Sequence, residues 1–360
     1  MKNNSLDEII KCNVDISSAV SNDVTADRIL LVVPAPEAEG ELQLDSVKAI
    51  SKVEELLDYG YTEEDTAYIA AQVAFSQSPA PASLLICTRK GTDGGYEDIT
   101  STLNKANEEA EFYGVHITEF KDSNDVINTI KWVEKNEKLF AFEYTDYDEF
   151  PVADSTTKYY RSLGLFAGNT DVESELNEYA ALGWMAEMFG YEAGTETWHL
   201  KEIKGIEPSR LTDAQKTELK AKNINTFLRY AGVNCTIGGL TLAGEWIDVI
   251  RFRDWLKNEM QKKIFKALKA NRKVPFTDNG IGMIEGAMEE VLKTGQDLGG
   301  IVADKYDDDN NIISGYEVYV PKASDISEEE KKSRKLSGCR YTAKLASAIH
   351  LVEIEGYLTF

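Results

Sequence analysis

Between Arg28 and about Thr145, short aliphatic and β-branched runs alternate with stretches of helical length, and this alternation restricts the fold more than any other feature. Strands are predicted at Ile29–Val33, Leu84–Thr88, Gly114–Phe120 and Leu139–Tyr144. Helices are predicted at Ser46–Tyr59, Glu63–Phe75, Glu97–Phe112 and Asn124–Lys135. This is the rhythm of an α/β fold, a mixed sheet flanked by helices. Tyr159–Ala167 reads as a further strand, and Asp171–Phe189 as a helix whose Leu176, Ala180, Gly183, Trp184 and Met188 form its packing stripe. Thr195–Ser209 reads as a strand followed by a turn, and Thr212–Lys222 as a helix opened by an N-cap Thr or Asp.

A second organising stretch runs from Leu228 to Gly300. Val233–Thr241 holds two short strands, or one bent strand, around Gly238 and Gly239. A helix follows from near Glu245 to Asn271. Phe252, Leu256, Met260, Ile264 and Leu268 recur every fourth residue and sweep out one broad apolar side. Arg251, Lys262, Lys266, Lys269 and Lys273 lie within about 40° of a common line on the other side. From Arg251 to Lys273 nine Lys or Arg face Asp254 and Glu259, a net of 9 − 2 = +7 in a chain of net charge −23. The remainder therefore sums to −23 − 7 = −30. A basic ridge of this kind is either a solvated helix face or a docking face for an acidic partner, which a neighbouring copy could supply.

Beyond Gly300, strands are predicted at Gly300–Lys305 and Ile312–Pro321 around the acidic turn Asp307–Asn311. Ser327 and Glu330 have capping-box spacing and open a short helix carrying Lys331, Lys332, Arg334 and Lys335. Both termini read as strands. Ile10, Cys12, Val14 and Ile16 alternate with polar residues, and a polar tether, 17–27, follows them. Tyr341–Phe360 ends with Val352 and Ile354 alternating against Glu353 and Glu355. A loosely tethered strand can pair within its own domain or reach another copy.

A length of 360 residues is enough for two or three domains, and 42% hydrophobic with 28% charged residues is ordinary for a globular protein. The net charge of −23 argues against nucleic acid or an anionic membrane as partner. The first residues lack the apolar run of a secretory signal, and no segment approaches the roughly 20 apolar residues of a membrane span. Synthesis in the cytoplasm without membrane insertion is the expectation. Cys12, Cys87, Cys235 and Cys339 lie far apart with no C-x-x-C pair and read as reduced packing residues.

The motifs of catalysis do not emerge. There is no G-x-x-x-x-G-K-[ST] phosphate cradle, and Gly280, Gly282 and Gly286 have the wrong spacing for a dinucleotide loop. Counted from Asp307, an EF-hand loop would need Gly and Glu where Ile312 and Val318 stand. Asp146, Asp148, Glu149 and Asp154 read as a surface loop. His116, His199 and His350 are isolated in strand-like settings and read as structural. No catalytic residue, metal site or cofactor is predicted.

Five segments resemble, in order, the tail sheath proteins of contractile phage tails and related bacteriocin particles. They are Ile9–Ser17, Tyr68–Gly91, Leu211–Met260, Val274–Met288 and Leu345–Phe360. A glycine is expected where Ser347 stands, which puts only local strand geometry in question. The resemblance implies a structural subunit that assembles with itself as hexameric rings stacked helically around an inner tail tube protein. Baseplate and tail-terminator proteins would bound the sheath, whose lattice contracts to drive the tube through a target envelope on energy stored in the extended state. It also implies linking arms that add strands to neighbouring subunits, formed by Ile10, Cys12, Val14 and Ile16 at one end and Ile349, Val352 and Ile354 at the other. The expected domains are arm 1–25, outer α/β domain 26–200, inner assembly domain 201–340 and arm 341–360. The ridge of Arg251, Lys262, Lys266, Lys269 and Lys273 would face the inner tube or an acidic face of a neighbour, with the basic helix at 327–335 as a second candidate. The competing readings are an α/β enzyme holding a small polar substrate in the Arg28–Phe189 region, or another self-assembling shell or tube protein.

Overall fold

The computed structural model describes residues 6, 9–12, 27–37, 40, 42, 44, 46–93, 95–148, 157–171 and 174–356. Its contacts divide the chain into two units, residues 1–266 and 267–360. The first unit opens with β1 (Ile29–Pro34) and β2 (Lys48–Ile50). There follow α1 (Glu55–Asp58), α2 (Thr66–Phe75), β3 (Leu84–Arg89), a hairpin of β4 (Gly91–Thr92) with β5 (Gly95–Tyr96), and α3 (Ile99–Glu109). Next come β6 (Gly114–Ile117), α4 (Ser123–Asn136), β7 (Leu139–Tyr144), β8 (Ser162–Phe166), a 3-10 turn at Glu175–Tyr179 and α5 (Ala180–Phe189). The unit ends with α6 (Asp213–Ala221), β9 (Asn225–Tyr230), β10 (Val233–Ile237) and most of the long α7 (Ile247–Ala270).

Eight strands form one sheet in the order β10-β9-β8-β7-β6-β1-β3-β2. Its six inner strands are parallel, and β2 and β10 close the two edges antiparallel. Strands buried on both faces read as unbroken apolar runs, and β1 is one. Its Ile29, Leu31 and Val33 pack with α2 and α5, while Leu30 and Val32 pack with α3 and α4 on the other face. The α/β fold with flanking helices is as expected.

Several local expectations give way to pairing. Ser46–Tyr59 is not one helix, because Lys48–Ile50 pairs with Leu84–Ile86 at the sheet edge and leaves only α1 helical. Glu175–Tyr179 is a 3-10 turn, so the helix predicted from Asp171 begins at Ala180. Thr195–Ser209 forms no strand beyond a single bridge from Ser209 to Thr170. The domain boundary expected near residue 200 falls inside the first unit, since β9 and β10 continue the same sheet. They meet in a two-residue turn, Ala231 and Gly232, at φ 49° and 86°. A left-handed pair suits the twist of a tight hairpin. Beyond β10 the Gly238–Gly239 bend is held by buried Asn225, whose Oδ1 accepts from the amides of Gly239 (2.7 Å) and Leu240 (2.9 Å).

The second unit holds the end of α7, then α8 (Asp278–Asp297), β11 (Lys305–Tyr306), β12 (Ile312–Ile313), β13 (Tyr316–Tyr319), α9 (Glu328–Ser333) and β14 (Arg340–Ala343). α8 buries Ile281, Ile284, Met288, Val291 and Leu292 on one face and starts at Thr277, whose side chain accepts from the Gly280 amide. β13 pairs antiparallel with β14 and packs against α8.

Two buried clusters of titratable side chains, one charged and one neutral, lie in the first unit. Asp254 on α7 accepts from both Arg161 guanidinium nitrogens (2.7 and 3.0 Å), from the Tyr113 hydroxyl (2.8 Å) and from Arg253 (2.9 Å). Burial alone would raise its pKa, but Arg161 and Arg253 outweigh burial and hold the carboxyl below its ordinary range. In the core, His116 Nδ1 donates to the Ala141 carbonyl (3.0 Å), and its Nε2 lies 3.7 Å from Glu143 Oε1. Glu143 Oε2 accepts from the Ala181 amide at the start of α5 (2.9 Å). Burial lowers the His116 pKa to about 4 and raises that of Glu143 to about 8, so at neutral pH both are uncharged.

Removing Asp254 leaves two arginines buried without their counter-ion. Asp254→Ala should therefore lower unfolding free energy by about 3–5 kcal/mol, read from urea titration. The His116–Glu143 pair should give a plateau of stability near pH 4.5–6.5. As pH rises toward about 8, the fold loses the stability that a neutral Glu143 supplies. As pH falls toward about 4, it loses what a neutral His116 supplies. Glu143→Gln should abolish the alkaline decline and raise the melting temperature at pH 8 but not at pH 5; melts across that range check it.

Candidate assembly surfaces

The C-terminal segment is laced into the second unit as far as Ala346. After β14, Lys344 donates its amide to the Gly315 carbonyl (2.9 Å) and accepts from the Val302 amide (2.9 Å). Leu345 bridges Ile301, and the Ala346 amide donates to Gly300 (3.0 Å). From Ser347 to Gly356 there is neither helix nor strand. In this stretch Ile349 is 82% exposed, Leu351 78%, Val352 68% and Ile354 87%. Residues two apart point the same way in an extended chain, so Ile349 with Leu351 and Val352 with Ile354 make opposite faces apolar. Such a segment suits a site buried on both sides. The strand predicted over 341–360 is thus β14 at its start, with no helix or strand from Ser347 to Gly356, and its last residues, 357–360, lie outside the described residues.

At the other end the expected strand does not form over residues 9–12. The Ile9 and Ile10 amides donate to the Leu6 carbonyl in a turn, at 2.9 and 2.7 Å. Ile10 is buried, and its carbonyl accepts from the buried Gln261 Nε2 of α7 at 2.9 Å. This bond competes with a strand ladder for the same carbonyl. Cys12 is half-buried, and Val14 and Ile16 lie outside the described residues.

The basic ridge divides in two. Arg251 is 1% exposed: it donates to the Met188 (3.0 Å) and Tyr191 (3.1 Å) carbonyls, pairs with Glu196 and lies over the Phe189 ring. It caps the end of α5, whose last carbonyls have no helical partner, and takes no part in an exposed ridge. Arg253 and Lys257 are buried as well, with Lys257 Nζ 4.0 Å from Glu137. The other four reach the surface. Lys262 is half-exposed and bonded to Glu259, whereas Lys266, Lys269 and Lys273 are exposed. Leu268, expected on the apolar side, is 37% exposed among them. The cause is burial on all sides along the first half of α7, which a helical wheel does not reveal.

Two strands around a solvated acidic turn were expected here; the β11–β12 hairpin also leaves Tyr306 67% exposed, Ile312 63% and Ile313 45%. Its tip is an Asx turn in which Asp307 Oδ1 accepts from the amides of Asp309 (3.0 Å) and Asn311 (2.7 Å). The remaining candidates serve the fold. His199 Nδ1 accepts from the Gly238 amide (3.1 Å), and His350 is half-buried. All four cysteines are free thiols. Asp146 and Asp148 line an open hollow with Thr145, Tyr147, Asn169 and Gln215, while Glu149 and Asp154 lie outside the described residues. Among the described residues no group of three or more His, Cys, Asp or Glu is placed to hold a metal ion. No helix among them is long and apolar enough to cross a membrane.

Residues 247–357, from the start of α7 past the exposed extension, match the family model described as E217 tail sheath protein gp31-like, C-terminal domain. No curated protein matches the sequence significantly. Among solved structures, a chain from the cryo-EM structure of the anti-feeding prophage baseplate is similar at a TM-score of 0.66 and 14% identity, over 97% of this chain and 98% of that one. The crystal structure of a sheath tail protein from Desulfitobacterium hafniense is similar at a TM-score of 0.54 and 10% identity, over 86% of this chain and 93% of that one.

Proposed function

From the membership of this chain in the contractile tail sheath family, carried by the match of residues 247–357 and by the sheath fold, we propose that it builds the outer cylinder of a phage tail or tail-like particle. The protein is structural, not an enzyme. Made in the bacterial cytoplasm, copies stack as hexameric rings around an inner tube, bounded by baseplate and terminator proteins, and contract to drive the tube through an envelope. The work of contraction comes from the difference between a metastable extended lattice and a better-packed one.

The observation on this chain that best supports the reading is the run of exposed apolar side chains at Ile349, Leu351, Val352 and Ile354, in a stretch that is neither helix nor strand. A strand of this kind completes itself on the sheet edge of another copy, where its backbone bonds and both faces are used. Ordering about ten residues costs roughly 1–2 kcal/mol each. Some five backbone bonds return about 1 kcal/mol each, and four apolar side chains about 1.5–3 each. The two sides are of similar size, so one arm binds weakly and the lattice depends on many arms acting together. The N-terminal segment, with Ile10, Cys12, Val14 and Ile16, is the second arm of the proposal, rooted on α7 through Ile10.

Deleting residues 347–360 should leave a folded chain whose melting temperature is unchanged but which forms no cylinders with its tube protein under electron microscopy. Deleting residues 1–18 should also block cylinder formation. Cylinders of normal length from the C-terminal truncation would rule the arm out.

A further inference from the structure

We infer that the β11–β12 hairpin of one copy docks on the basic end of α7 in a second copy. This rests on the sheath reading and names the acidic partner which that reading leaves open.

The hairpin has little to hold it by itself. It pairs two residues on each side, Lys305 with Ile313 and Tyr306 with Ile312, and so small a ribbon is marginal in water. Yet it presents three large apolar side chains to solvent and follows Tyr306 directly with Asp307, Asp308 and Asp309. Exposed apolar side chains beside like charges are a costly surface unless something covers them. The basic end of α7 is its counterpart. Lys266, Lys269, Arg272 and Lys273 are exposed and form no ion pair among the described residues, and half-exposed Leu268 sits between them. One surface is apolar with acids, the other apolar with bases, and no ion pair joins them within one chain. Complementary charges that form no ion pair among the described residues and are carried by every copy are satisfied when copies meet. A tube or another acidic protein on the helix end would cover the bases but leave Tyr306, Ile312 and Ile313 bare. The contact is heterologous, one surface against a different one. It therefore repeats from copy to copy and closes into a ring or continues as a helix.

The test uses full-length protein with two variants, Asp308→Lys with Asp309→Lys on the hairpin, and Lys266→Glu, Lys269→Glu and Lys273→Glu on the helix. Every altered side chain is exposed, so melting temperatures should match wild type. In sedimentation velocity at low salt, wild type should associate as concentration rises and dissociate as salt is added. Each variant alone should need about tenfold more protein or beyond for the same association. An equimolar mixture should recover it, because the reversed hairpin meets the reversed helix. The inference is overturned by a wild type that stays monomeric, by a mixture that does not recover, or by a hairpin variant that associates normally. Loss confined to the helix variant would overturn the hairpin as partner and assign the bases to a different acidic face of a second copy. Electron microscopy with the tube protein separates the two readings: cylinders that persist in the hairpin variant remove the docking and keep the sheath, whereas a wild type that never forms cylinders removes the sheath reading itself.

Discussion

One carboxylate fixes where the long helix lies. Asp254 is buried with Arg161, which precedes β8, with Tyr113, which precedes β6, and with its own neighbour Arg253. Taking these ions out of water is affordable only if every one is met, so the starts of two strands and the first half of α7 must converge or the cluster cannot be buried at all. Hydrogen bonds are directional where apolar contacts slide, and a helix held this way has a fixed rotation. Arg251, bonded to the end of α5, sets the same rotation from the next turn of the wheel. Once the first half of α7 is fixed, so is the side on which Lys262, Lys266 and Lys269 emerge.

The sheet was legible because its strands are buried on both faces. Runs such as Ile29–Val33 and Leu139–Phe142 are apolar without interruption, and little else satisfies them. Elements whose signal was local and mixed were lost. α8 was hidden by Gly280, Gly282 and Gly286, which weaken helix propensity, although Ile281, Ile284, Met288, Val291 and Leu292 keep a helical spacing. Gly280 is there because a side chain would strike the Pro275 carbonyl, 2.1 Å from where a Cβ would stand. β9 was missed because half of it is polar and its residues do not alternate, though the Ala231–Gly232 turn was a usable hairpin signal. The edge strand β2 has three residues, too few for a period to show.

The assembly residues were legible in a different degree. Apolar alternation near both ends predicted strands; the N-terminal one does not form over residues 9–12, and Ile349, Leu351, Val352 and Ile354 are exposed in a stretch that is neither helix nor strand. The basic helix was legible as charge but not as surface. Nine cations counted alike along the sequence, while the fold places Arg251, Arg253 and Lys257 in buried polar contacts. Burial depends on what packs around a helix on every side, and that is a property of the whole chain. The hairpin was legible as two strands around a solvated acidic turn, but only the fold shows that Tyr306 and Ile312 stand beside that turn uncovered.

A chain of net charge −23 repels its own copies, so any contact between them must be strong at short range and weak at long range. Apolar strands do this, since they contribute only when water is expelled. A local basic patch on an acidic molecule does it too, because salt screens the general repulsion over about 8 Å at physiological ionic strength while a matched contact survives at its surface. The C-terminal apolar segment and the basic patch both fall within residues 247–357, and the large sheet of the first unit keeps its apolar residues inside. In the proposed sheath this separates two demands. The first unit can be stable as a single chain, while contacts from the second stay weak enough one at a time for a lattice to exchange one packing for another.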